Sequence, residues 1–247
     1  MDNFLITVII VTYNHEDRIA NAIESVLCQK TSYPYEIWIA EDCSTDGTAD
    51  ICREYELKYP GKIRLFAQEK NTNLLHLRDM LCKVHSKYFA VLDGDDVWCH
   101  PDKLQISVNF LESDLSFSIF AHDTIYYDHL EDSKRSLVHD VLHAKVQNPI
   151  TLTTAPYLHT SARLYRNIVD FKSISDKFPL LDIFVYFLFL DKGYLYYYDV
   201  PMSVYNITGT GLWSKLNQNE QAHDSAKAYA LVNEMLDYRY DDYFNKS

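Results

Sequence analysis

Residues Leu5-Ile6-Thr7-Val8-Ile9-Ile10-Val11 form a nearly unbroken β-branched run that leaves through Thr12-Tyr13-Asn14. A run without polar alternation suits a strand buried on both faces of a parallel sheet. Between residues 16 and 29, Ile19, Ala22, Ile23, Val26 and Leu27 recur at helical spacing, uninterrupted by Gly or Pro, which predicts an amphipathic helix. The cycle then repeats. A strand at 35–40 leads through Glu41-Asp42-Cys43-Ser44-Thr45-Asp46-Gly47 to a helix at about 48–59, and a short strand at 63–66 precedes a helix at about 74–85. Ser44, Thr45 and Asp46 are helix-capping types, so at least one of them is expected to serve the fold. The fourth strand, Tyr88-Phe89-Ala90-Val91-Leu92, follows. This alternation predicts an α/β fold with a doubly wound, mostly parallel sheet, right-handed crossovers and helices on both faces.

The alternation breaks down in the second half. A helix at 101–111 is followed by strand-like segments at 116–121 and 125–127, and by a polar, His-rich stretch at 131–149 that fits no element. Residues 179–191 read as a helix stopped by Lys192-Gly193, residues 194–204 read as strand around Pro201, and from about Asn217 the chain is acidic and helical. No repeat, linker or low-complexity segment marks a firm boundary. The pattern divides the chain into a domain at 1–215, with a first half at 1–112 and a smaller second half at 113–215, and a helical tail at 216–247.

Composition narrows the function classes. The 247 residues, 47% hydrophobic and 23% charged, suffice for a sizeable core without disulfides. A net charge of −12, from 23 basic and 35 acidic residues with no basic run, argues against a nonspecific grip on nucleic acid or anionic lipid. The 20 Tyr and 12 Phe fit apolar walls with polar rims that hold sugars or partners, and fit a tyrosine-rich core equally well. Five cysteines without metal-type spacing read as free thiols of a reducing compartment, so the cytoplasm is the expected location. The start Met1-Asp2-Asn3 lacks the basic leader of a signal peptide. The apolar stretch at 183–190 is far short of the roughly 20 residues a membrane helix needs.

The fourth strand delivers Asp93-Gly94-Asp95-Asp96 to the carboxyl edge of the sheet, where open α/β folds bind ligands. Carboxylates so close repel one another, and a hard divalent cation relieves them while keeping positions open for substrate phosphates. The competing reading is an acidic turn with Gly94 in a left-handed conformation. Thr12, Asn14, Glu41 and Asp42 lie at neighbouring strand ends, with the hydroxyl, amide and carboxylate groups that read a base and ribose. No Gly-x-Gly-x-x-Gly or phosphate loop follows the first strand, so phosphate would depend on the cation.

Val8-Ile9-Ile10-Val11-Thr12-Tyr13-Asn14, Glu41-Asp42-Cys43-Ser44-Thr45-Asp46-Gly47-Thr48 and Leu92-Asp93-Gly94-Asp95-Asp96-Val97-Trp98, with Pro101-Asp102-Lys103-Leu104 behind them, resemble family 2 of the inverting nucleotide-sugar glycosyltransferases. The match covers roughly residues 4–112, and extends more loosely to about 215. It implies the GT-A fold, a nucleotide-diphosphate sugar donor with UDP favoured, Mn²⁺ or Mg²⁺, and the hydroxyl of a glycan or lipid-linked glycan as acceptor, with peripheral membrane contact or a homodimer compatible with it. By the same resemblance Thr12, Asn14 and Asp42 lie against the nucleoside, Asp93 faces ribose or sugar, and Asp95 binds the metal with Asp96 as neighbour or alternative ligand. Arg78 approaches the pyrophosphate, and Asp182, opening an apolar helix, is the general base of a single displacement. His159 and Trp213 are candidate contacts to diphosphate or acceptor. Each has a plainer reading: a helix cap for Asp42, a first-turn carboxylate for Asp182, a solvated Arg78, a structural His159. An acid in so apolar a sequence as Phe178 to Val185 is expected to have a raised pKa. Where relatives carry Tyr-Arg-x-His, this chain has Tyr205-Asn206-Ile207-Thr208. That departure leaves a noncatalytic glycan- or partner-binding module as one alternative, with a sugar nucleotidyltransferase as the other.

Overall fold

The computed structural model describes residues 4–72, 75–136, 146–147, 158–175, 178, 182–208 and 217–244. In chain order these form β1 (Ile6–Thr12), α1 (Ile19–Leu27), β2 (Tyr35–Glu41), α2 (Thr48–Lys58), β3 (Ile63–Ala67), α3 (Leu75–Leu81), β4 (Tyr88–Asp93), β5 (Val97–Trp98), α4 (Lys103–Ser113), β6 (Phe117–Asp128), β7 (Ser133–Ser136), β8 (Val146–Gln147), β9 (Arg163–Arg166), α5 (Asp182–Leu190), β10 (Tyr194–Ile207), α6 (Gln218–Met235) and α7 (Asp241–Phe244). One sheet runs β3-β2-β1-β4-β9-β6-β10-β5, with β7 on β6 and β8 on β10.

The first four strands pair in parallel, and β1 shows why its sequence is continuously apolar. Ile9 packs with Trp38, Phe89 and Val91 against α3 and α5. Val8 and Ile10, pointing the other way, pack with Ile37, Ile39, Ala90 and Leu92 against α1 and α4. Both faces are covered, as a doubly wound sheet requires. Each such buried aliphatic side chain contributes about 1.5–3 kcal/mol of transfer free energy. On α1 the predicted stripe Ile19, Ala22, Ile23 and Val26 is the buried one.

The second half departs from the sequence reading in two places. The segments expected at 116–121 and 125–127 are one twelve-residue strand, β6, because the polar link His122-Asp123-Thr124 is itself buried and stays paired with β10 through two register shifts around Pro201. The four-residue β9, Arg-Leu-Tyr-Arg, was not anticipated. It pairs antiparallel with both β4 and β6, and joins the parallel strands of the first half to the rest of the sheet. The helix expected at 179–191 is described over Asp182–Leu190, residues 179–181 lying outside the described set. It is apolar nearly all round because it has two covers, the sheet below and α6 above, where Phe187 meets Tyr229 edge-on at 5.9 Å. Asn217 starts α6 with a reciprocal capping box to Glu220. All five cysteines are free. No helix among the described residues is long and apolar enough to cross a membrane.

Lys103 opens α4 fully buried, its Nζ 4.3 Å from the centre of the Trp98 ring and without a hydrogen-bond acceptor among the described residues. Burial pushes its pKa down to about 7, the nearby Cys99 opposing weakly. The folded value lies below the unfolded one, so this residue's penalty is full below about 7 and fades as pH climbs toward 10.5. Lys103→Met is therefore expected to raise the melting temperature at neutral pH and to flatten its rise between those limits, as read by thermal unfolding across pH.

Candidate active site

Register places the polar exits of three strands side by side: Thr12 lies opposite Glu41, and Val11 opposite Asp93. Asp42 N–H donates to Thr12 O at 3.0 Å and Gly94 N–H to Val11 O at 2.8 Å, after which the chains diverge. A crevice at this edge is the usual ligand position of such sheets. A Cβ at Gly94 would lie 2.6 Å from Thr12 Oγ1 and 2.9 Å from His15 Nδ1. The glycine is thus required by close approach to β1, and not by the left-handed turn considered from sequence, since Gly61 is the glycine with positive φ among the described residues.

Asn14, at φ 55°, accepts Thr45 N–H on Oδ1 at 2.8 Å, and its own N–H donates to Ser44 Oγ at 2.9 Å. The loops after β1 and β2 are thereby held as one wall. Asp42 is no helix cap. Its Oδ1 receives the Thr72 N–H and hydroxyl, both at 2.8 Å, while the start of α2 is tied by Asp46, which takes Thr48 N–H at 3.0 Å.

The acids form the floor. Asp96 is completely buried; its Oδ1 accepts Asn206 N–H at 2.9 Å, and its Oδ2 has no hydrogen-bond partner among the described residues. Asn206 Nδ2 also donates to Asp95 O at 2.7 Å, so the segment that departs from the relatives' pattern reaches the acids through its asparagine. Asp95 is more open, with Oδ2 3.8 Å from His15 Nε2. Asp93, Asp96 and His159 present ligand atoms all within 4.8 Å of one another.

The second half supplies the facing wall. His159 is half-buried, stacks on Tyr205 at 4.3 Å, and bonds through Nδ1 to Ser161 Oγ at 2.8 Å. Burial pushes its pKa down to about 3, with the Arg163 charge acting the same way and Asp182 opposing. Asp182 caps no apolar pocket. Its side chain is 42% exposed, Oδ2 accepts the Thr160 hydroxyl at 2.7 Å, and Arg163 Nη2 lies 3.8 Å away. The hydrocarbon setting expected from sequence is corrected here: the apolar residues of α5 point into the core, and the carboxylate points out at the helix start. Arg78 is half-buried and braces a neighbouring segment. Its guanidinium donates to the carbonyls of Ile174, Ser175 and Phe178, bracing the segment that leads to α5. Trp213 lies outside the described residues.

Sequence reading missed Arg163, His15, Asn206 and Thr160. Arg163 is fully buried and donates to His159 O at 3.2 Å, Asp182 O at 3.4 Å and Thr160 Oγ1 at 3.0 Å, with the Tyr186 ring 4.7 Å away. The only signal was a basic residue inside a short apolar run.

Burial pushes the Asp93 carboxyl up to about 8, with Asp95 and Asp182 adding to the shift and Arg163 opposing. Asp96 is raised by burial, then by Asp93 and Asp95. Both folded values exceed the unfolded 3.8, so the stability tied to their protonation is complete below that pH and is lost as pH rises through the folded values, about 8 for Asp93. Asp96→Asn is expected to reduce the fall in melting temperature between about pH 5 and pH 8 in chelator-treated protein. A wild-type slope unchanged by the substitution would contradict this account.

The buried, partnerless oxygen of Asp96 amid like charges fits a hard divalent cation. Asp93 and Asp96, with His159 beside them, are the group that could hold one.

The model of the family described as Glycosyl transferase family 2 matches residues 7–171. A putative teichuronic acid biosynthesis glycosyltransferase, TuaG, of Bacillus subtilis is 35% identical over 144 residues, 55% of this chain and 56% of that protein. Among solved structures, S. aureus TarS 1–349 in complex with UDP-GlcNAc superposes with a TM-score of 0.65 at 17% identity, covering 93% of this chain and 66% of that one. The mannosyltransferase PcManGT from Pyrobaculum calidifontis, in complex with GDP-Man and Mn²⁺, gives 0.63 at 16% identity, over 93% of this chain and 64% of that one. These likenesses bear out the GT-A fold. Curated relatives matched over 84% of this chain at 27% identity are longer, and the chain spans 60% of their length.

Proposed function

Since this chain belongs to glycosyl transferase family 2, we propose that it moves a sugar from a nucleotide-diphosphate donor, with UDP favoured, to a hydroxyl of a glycan or lipid-linked glycan, with inversion at the anomeric carbon. The observation that carries this reading is the meeting of Asp93 and Asp96, with Asp95 beside them, from the first half and His159, Arg163 and Asp182 from the second, around a buried carboxylate oxygen that lacks a partner among the described residues. The UDP-GlcNAc complex of TarS and the teichuronic acid assignment of TuaG support a UDP-sugar and a polymeric acceptor.

In this reading Thr12, the Asn14 amide and the Asp42 oxygen not used by Thr72 hold the nucleoside, on loops already fixed to one another. Residues 1–112 would then serve the donor and 113–215 the acceptor. Mn²⁺ or Mg²⁺, when bound, would supply charge neutralisation for the departing diphosphate, and Asp95 and Asp96, with Asp93 beside them, would hold it. Asp182 takes the proton of the acceptor hydroxyl. Its position at the start of α5, 42% exposed beside the buried acids, leaves it open to an incoming hydroxyl. Arg78 serves by bracing the chain before α5.

Thermal stabilisation by a panel of sugar nucleotides, with Mn²⁺ or with chelator, tests the reading. A ligand at 100 times its dissociation constant stabilises by about 2.7 kcal/mol. We expect a UDP-sugar to stabilise in a metal-dependent way, and an inverted anomer in the transfer product. A protein that binds no nucleotide with metal present would refute the proposal and favour a noncatalytic module.

A further inference from the structure

We propose that the Tyr205 hydroxyl donates a hydrogen bond to the departing diphosphate, which makes Tyr205 a further catalytic residue. The proposal rests on the transferase reading above and deepens it, by naming a side chain of this protein that meets the charge gathering on the leaving group.

Three observations support it. First, the strand end that carries Tyr205 is fastened to the acids: the next residue, Asn206, donates its N–H to Asp96 Oδ1 at 2.9 Å and its Nδ2 to Asp95 O at 2.7 Å. Second, the Tyr205 ring is held on two sides. His159 stacks on it at 4.3 Å, and Tyr126, its register partner on β6, stands edge-on at 5.5 Å. A donor held in this way needs no reordering when charge develops beside it. Third, the hydroxyl is unused. Tyr205 is half-buried, and its phenol has no hydrogen-bond partner among the described residues, although a tyrosine hydroxyl that leaves bulk water normally finds one. The charges that act on it most strongly are Asp96, then Asp95 and Asp93, which sets it at the floor of the crevice.

The chemistry of transfer gives such a donor its use. When the bond between the anomeric carbon and the diphosphate oxygen breaks, the electron pair stays with that oxygen and negative charge grows on it. A phenol hydrogen bond strengthens with that charge, and the proton stays on the phenol. Ionised carboxylates accept only, so the acids cannot take this part. Asn206 is committed to Asp95, Asp96 and, through Oδ1, to His129 Nε2 at 2.8 Å. Tyr126 faces elsewhere: among the charges acting on its phenol, Asp123 and Arg163 come before Asp96.

Calorimetry of the full chain with Mn²⁺ tests this, because UDP and UMP differ by the phosphate in question. Tyr205→Phe keeps the ring that packs on His159 and removes a hydroxyl that bonds nothing in the fold, so its thermal unfolding without ligand should match wild type. We expect its UDP affinity to be weaker by about 10–100-fold, as for a lost hydrogen bond to a charged group, with UMP affinity at the wild-type value. Tyr126→Phe should bind UDP as wild type does. Undiminished UDP affinity in Tyr205→Phe, equal weakening of UDP and UMP, or a UDP loss of the same size in Tyr126→Phe overturns the proposal and leaves the transferase reading standing. A wild type that shows no metal-linked UDP binding overturns both.

Discussion

Asp182→Asn lowers the rate of sugar transfer by about 10²–10⁴-fold, the range for loss of a positioned general base, while UDP affinity with Mn²⁺ and the urea unfolding midpoint stay near wild type. The amide keeps the shape of the carboxylate and can still accept the Thr160 hydroxyl bonded at 2.7 Å, so the start of α5 has little reason to move. What it cannot do is receive a proton. Stability is spared because the side chain is 42% exposed, and because Arg163 keeps acceptors at His159 O and Thr160 Oγ1 when the charge is removed. Initial-rate kinetics, with nucleotide calorimetry on the same preparation, check both halves of the expectation. Transfer at the wild-type rate would remove Asp182 from the mechanism. Weakened nucleotide binding with unchanged turnover would make it a structural residue of the crevice.

Much of this site can be read from the chain because the part supplied by the first half is local. The strand that brings the acids, the glycine between them and the loops after β1 and β2 each lie within a few residues of the groups they position, so strand periodicity and turn chemistry were enough to place Thr12, Asn14, Asp42 and the Asp93–Asp96 cluster at one edge. The facing wall is assembled across long separations. Arg78 is bound to carbonyls about a hundred residues away, and Asn206 reaches Asp96 across 110 positions; no local pattern encodes such pairs. Strand β9 was invisible for a related reason. Arg-Leu-Tyr-Arg reads as surface, because arginines are seldom buried without partners, and the partners that bury Arg163 and Arg166 become visible only once the sheet is assembled. The helix at 182–190 was legible, but the surroundings of its first residue were not. An apolar neighbourhood in sequence says nothing about which way the helix start faces.

The two halves meet at Arg163, and its removal is expected to be the most damaging single change in this region. Arg163→Met should cost about 3–5 kcal/mol, the range for breaking a buried, hydrogen-bonded charge network by removing one partner, and should abolish detectable transfer. The guanidinium is fully buried and spreads its donors over His159 O, Asp182 O and Thr160 Oγ1. One planar group therefore spaces the imidazole loop from the base helix. Methionine fills the volume but leaves those oxygens unsatisfied inside the protein, and lets the two walls drift. Arg163→Lys discriminates between charge and geometry: a lysine restores the charge near Asp182 but reaches as a single point and cannot fork to three acceptors. The lysine variant should recover part of the stability and little of the turnover. Urea midpoints at constant slope give the first quantity, and kcat with saturating donor gives the second. Full recovery of turnover by lysine would show that positive charge alone is needed at this position. A methionine variant as stable as wild type would show that the buried fork does not hold the two walls together. Since Asp182 lies 3.8 Å from the same guanidinium, the double variant with Asp182→Asn should fall short of additivity, as coupled neighbours do.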